Sequence, residues 1–130
     1  MEQLPAEDFV YPQKPHCNPP RMHFGLGVKA QSLYEYAFKR RLVPAEWRGD
    51  EDCEYIVFQA AVKELDRLCG TKLYLEFPLG TDYDWMVARF TNYIWYYEEL
   101  EPEEEEEVMD IIRRELGVHD SPRWYHGSRP

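Results

Sequence analysis

Positive charge is scarce in this chain of 130 residues: 15 lysines and arginines face 25 aspartates and glutamates, leaving a formal charge of -10. Nucleic acid and anionic membranes repel such a polyanion, so direct binding to either is not expected. Long apolar runs are missing too. The longest aromatic and aliphatic stretch, Tyr93 to Tyr97, is far too short to span a bilayer. Met1, Glu2 and Gln3 are followed by no apolar segment of signal-peptide length, and the expected location is intracellular, cytoplasmic or nuclear. Cysteine is limited to Cys17, Cys53 and Cys69, which suits a reducing compartment better than a disulfide scaffold. If Cys53 and Cys69 share a helix, they stand roughly 24 Å apart at about 1.5 Å per residue, beyond disulfide reach.

Catalytic signatures are equally sparse. His16, His23, His119 and His126 all fall in the terminal segments, away from the predicted core elements, whereas a general base must be held rigidly beside its partner. Cys53 and Cys69 read as helix positions, where an inert thiol is the commoner case. Gly25-Leu26-Gly27 lacks the third glycine and the flanking strand of a phosphate-binding loop. His16, Cys17 and His23 cluster in sequence, but no second ligand pair accompanies them as a structural zinc site requires. The glutamates follow no calcium-loop pattern. Glu76, Asp82 and Asp84 could form paired carboxylates, but a surface turn explains them equally well. No catalytic residue, metal ligand or cofactor is assigned.

Aromatic rings are abundant: 10 Tyr, 6 Phe and 4 Trp make up 15% of the chain. Rings carry large apolar area, so a compact core is expected despite a mean hydropathy of -0.68. The length suits one domain.

Along the chain, residues 1–24 are proline-rich (Pro5, Pro12, Pro15, Pro19, Pro20) and predict an extended or disordered segment. Pro12 to Pro15 is a minimal PxxP match of the kind chance supplies. A single globular domain is expected over 25–118. Within it, Ala30, Leu33, Tyr34, Ala37, Phe38 and Leu42 predict a helix over about 29–42, stopped by Pro44. Acidic residues at 50–54, an apolar stripe and Gly70 predict a second helix over about 50–69. Leu73, Leu75 and Phe77 alternate as in a strand over 72–77. Residues 81–100 read two ways. Thr81 and Asp84 form a capping box ahead of Met86, Phe90, Tyr93, Ile94 and Tyr97 at helical spacing, while 85–97 is also rich in strand-forming types. The helix is preferred. A last helix runs from Pro102 to before Gly117, with Asp110 placed to pair with Arg113 or Arg114. Residues 119–130 form a polar tail whose Trp124 and Tyr125 are expected to fold back. The expected fold is therefore mostly α, a compact bundle of three to four helices with one short strand or hairpin near 72–77. The alternative is α+β, with 72–77 and 83–97 paired antiparallel.

Between Glu98 and Glu107, eight of ten positions are glutamate. So many carboxylates cannot be buried and must face water or a cationic partner. A solvated helix start is the plain explanation. The functional reading is a non-catalytic interaction module or inhibitor that meets a basic protein partner. Glu103, Glu104, Glu105, Glu106 and Glu107 would steer the encounter, and Trp95 and Tyr96 would anchor it. Two rivals are a nucleic-acid-mimicking decoy for a DNA-binding protein and a small enzyme with an unrecognised site. The aromatic excess is also compatible with a homodimer.

Overall fold

The computed structural model describes residues 4–12 and 19–126. It overturns the expected helical bundle. At its centre lies a four-stranded antiparallel sheet, β1 (Met22–Val28), β2 (Tyr74–Glu76), β3 (Trp85–Thr91) and β4 (Arg123–His126), in the order β2-β3-β1-β4. The helices are α1 (Ala30–Lys39), α2 (Glu54–Cys69), the single-turn α3 (Trp95–Glu98) and α4 (Pro102–Leu116). The fold is α+β. The pairing of 72–77 with 83–97 exists in shorter form, Tyr74 opposite Ala88 and Glu76 opposite Met86, but strands β1 and β4 belong to neither sequence reading.

Residues 85–91 form a strand rather than a helix because β1 and β2 flank them. A central strand is buried on both faces and reads as a near-continuous apolar run, from which periodicity cannot separate helix from strand. The predicted Thr81–Asp84 capping box does not form, and both side chains serve other structures. Thr81 Oγ1 accepts from the Tyr83 amide at 3.1 Å, and the Asp84 carboxylate accepts from the Ala30 amide at 2.7 Å, capping α1.

One face of the sheet carries Phe24, Leu26, Val28, Val87 and Phe90 against the apolar stripes of α1, α2 and α4. Leu33, Val57, Leu65 and Ile112 reach 0% exposure there, each contributing about 1.5–3 kcal/mol by burial. On the other face β1 presents His23, Gly25 and Gly27. A side chain at Gly25 would strike the backbone of β3, with the Val87 carbonyl oxygen at 2.2 Å, and one at Gly27 would enter the Tyr83 ring at 2.3 Å. The 77–84 loop folds beneath this face: Pro78 is fully buried, and the Leu79 amide donates to the His126 carbonyl at 2.9 Å.

The register shifts between Phe24 and Gly25, leaving Arg89 as an extra residue on β3. Such a bulge re-aims a side chain. Here it turns a fully buried guanidinium toward α4. Arg89 Nη2 donates to Glu105 Oε1 at 2.6 Å and to the Glu98 carbonyl at 2.6 Å, while Nη1 donates to the Lys72 carbonyl at 3.1 Å. The start of α4 is thereby locked to the sheet.

The N-terminal end of the chain also differs from expectation, whereas Trp124 and Tyr125 do fold back on the domain, as part of a strand. The predicted loose segment supplies Met22 to Phe24, the start of the inner strand β1, and its residues 4–12 dock on the domain. Asn92 Nδ2 donates to the carbonyls of Asp8 (2.6 Å) and Pro20 (2.9 Å), and the Val10 amide donates to the Asn92 carbonyl at 2.9 Å. Trp124 and Tyr125 lie in β4, paired with Phe24 and His23. His16, Cys17 and Pro15 of the PxxP match fall outside the described residues.

A candidate acidic and aromatic cleft

A cleft of about 400 Å³ opens between the docked N-terminal segment, α3, the first turns of α4 and β4. That volume lies within the range of ligand-sized sites, roughly 300–1,000 Å³. Its walls include the rings of Phe9, Tyr11, Trp95 and Trp124, with Phe24 and Phe90 deeper in. The rings brace one another. Phe9 meets Trp95 and Trp124 edge-on, with centroids at 4.7 and 5.4 Å, and Tyr11 meets Trp95 at 5.2 Å. Trp95 Nε1 donates to the Val10 carbonyl at 3.0 Å, which fixes the indole plane and holds the segment in place.

Glu99, Glu105 and Glu106 also line the cleft. Their situations differ. Glu105 is spent on Arg89 and on the Leu100 amide, which donates to it at 3.0 Å. Glu106 pairs with Arg113 at 2.8 Å. Glu99, an exposed residue, has no cation within ion-pair distance among the described residues, and desolvation of its carboxyl together with Glu105 and Glu101 raises its pKa. Glu101, Glu103, Glu104 and Glu107 are exposed and likewise without ion pairs among the described residues.

The residues singled out from sequence therefore part company. Trp95 turns into the cleft and bonds to the chain's own backbone. Tyr96 stays at the surface, 49% exposed, next to Tyr97 at 73% and close in sequence to the exposed Ile94. Glu103, Glu104 and Glu107 face solvent, Glu106 is exposed but paired, and Glu105 holds the fold together. Phe9, Tyr11 and Trp124 are not assigned to the site from sequence, and Glu99 reads there only as part of the glutamate run. They are distant in sequence, and only β4 and the N-terminal docking bring them together.

A second polar constellation sits under the other sheet face. His23, placed by sequence reading outside the core, is 5% exposed in β1. Its Nδ1 lies 2.6 Å from the Tyr74 hydroxyl and its Nε2 3.6 Å from Glu76. Burial lowers the imidazole pKa, opposed by Glu76 and assisted by Arg21, and burial raises the Tyr74 phenol. A neutral buried imidazole beside a phenol held protonated supplies no activated nucleophile. The Cys69 thiol, pushed up to about 11 by burial, is similarly quiet. Among the described residues, no group of three or more His, Cys, Asp or Glu is arranged to hold a metal, and no helix is long and apolar enough to cross a membrane.

Comparison with known proteins adds no relative: no family model, curated protein or solved structure matches the chain.

Proposed function

We propose that this protein is a non-catalytic interaction module that receives a basic protein segment on the face built by α3 and the start of α4. The observation that carries the reading is the juxtaposition of unpaired carboxylates with aromatic surface. Glu99, Glu101, Glu103, Glu104 and Glu107 lack ion pairs among the described residues, and Tyr96 and Tyr97 are strongly exposed in the preceding turn. Carboxylates of one sign raise the encounter rate with a cationic surface, and desolvated rings hold the complex once formed. Glu105 takes no part in this, being committed to Arg89. The same commitment interrupts the line of free carboxylates that imitation of a phosphate backbone would need, which favours a protein partner over a decoy role.

The test uses the full chain as bait in native extract, beside a Glu103→Gln, Glu104→Gln, Glu107→Gln variant, at low and at physiological ionic strength. A basic protein should be retained at low salt and weakened by both the salt and the charge removal. Identical capture by both baits at both salt levels contradicts the reading.

A further inference from the structure

We infer that the cleft beneath the N-terminal segment takes one arginine side chain of the basic partner. The inference rests on the partner reading above and names what that partner inserts. Three features of the cleft converge on a guanidinium.

The walls are planar π-surfaces. Two indoles, Trp95 and Trp124, stand with Phe9 and Tyr11 around one opening, and their mutual edge-on contacts hold the rings in place. Cations are drawn to such faces, indole most strongly.

At the lip, Glu99 is a carboxylate without a counter-ion among the described residues, crowded by Glu105 and Glu101. An arriving cation would relieve that repulsion. An apolar occupant would instead bury the carboxylate further and cost more.

The geometry separates arginine from lysine. A guanidinium stacks flat on an indole and gives a carboxylate two parallel hydrogen bonds, whereas an ammonium is a compact, strongly hydrated point charge. The protein already solves the same problem from the inside, where Arg89 lies 5.3 Å over the Phe90 ring and engages Glu105 through both Nε and Nη2. The cleft offers the equivalent pair of partners, ring and carboxylate, on its outer side.

The experiment titrates the full chain with three lysine-flanked peptides that differ only in a central Arg, Lys or Leu. Indole resonances are followed in a ¹H–¹⁵N spectrum. Trp47 and Trp85 pack on the helical side of the molecule and serve as internal references. The Arg peptide should move the Trp95 and Trp124 signals, leave the other two in place, and bind about tenfold tighter than the Leu peptide, as a charge-assisted contact implies. Glu99→Gln, which removes no contact that holds the fold, should abolish that advantage, and Glu46→Gln, exposed and outside both the cleft and the acidic face, should preserve it. Equal binding of Arg and Lys peptides overturns the assignment to arginine. Equal binding of Arg and Leu peptides, with steep salt dependence, overturns the cleft inference and leaves the acidic-face reading standing. No binding of any peptide at low ionic strength overturns both.

Discussion

Arg89 and Glu105 separate one glutamate from its neighbours by energy rather than by type. The guanidinium is fully buried and its partner nearly so, with side-chain exposures of 0% and 13%. Removing one member of such a pair leaves the other charge stranded, at a cost of about 3–5 kcal/mol. Glu105→Ala should therefore lower the urea-unfolding free energy by that amount, while Glu103→Ala, two residues away and exposed, stays within about 0.5 kcal/mol. Equal effects at the two positions would remove the structural role assigned to Glu105. Titration divides the residues in a second way. Hydrogen bonds from Arg67, then Arg40, hold the Glu64 carboxyl down to about 2, against 4.5 for the free group. A depressed acid contributes stability above its unfolded pKa, so this contribution should be present above about pH 4.5 and be lost as the pH falls toward 2. His23 is also depressed, from 6.5, and its contribution is complete above that pH and declines below it. Unfolding midpoints measured from pH 8 to 3 should show an early decline that His23→Gln removes and a later one that Glu64→Gln reduces.

At the scale of elements, the sheet depends on two glycines that resemble loop punctuation in the sequence. The space a side chain at Gly27 would need is filled by the Tyr83 ring, and the Tyr83 hydroxyl bonds Asp120, which with burial raises its phenol to about 12. Gly27→Ala should destabilise the protein strongly in the wild-type background and much less when Tyr83 is also alanine. A double-mutant cycle should return a coupling of about 1–3 kcal/mol, and strict additivity would show that the ring is not what fills the site. The helices were legible from sequence because their signals are local: the stripes of α1, α2 and α4, the acidic first turns, and Gly70 and Gly117 at their ends. The strands were not. Met22–Val28 alternates apolar Phe24, Leu26 and Val28 with His23, Gly25 and Gly27, but its glycines make sense only once β3 and Tyr83 are in place. β3 carries a false helical stripe, since Met86, Phe90 and Ile94 are spaced by four whatever their conformation. Half of the candidate site was visible as the glutamate run and Trp95. The other half, Phe9, Tyr11 and Trp124, comes from the two chain ends and is assembled by long-range pairing that carries no local pattern.

At the scale of the whole molecule, charge and shape divide the work. Helices α1 and α2 cover one side of the sheet, the 77–84 loop closes the other, and the acidic start of α4 stands at the edge where the N-terminal segment docks. The central claim is that recognition happens at that edge. Hydrogen exchange of backbone amides, with and without the captured basic partner, tests it most directly. Protection should rise over residues 94–107 and 8–11, and it should fade when salt is raised. Protection confined instead to the exposed Tyr55 and Ile56 side of α2, with 94–107 unchanged, would contradict the account.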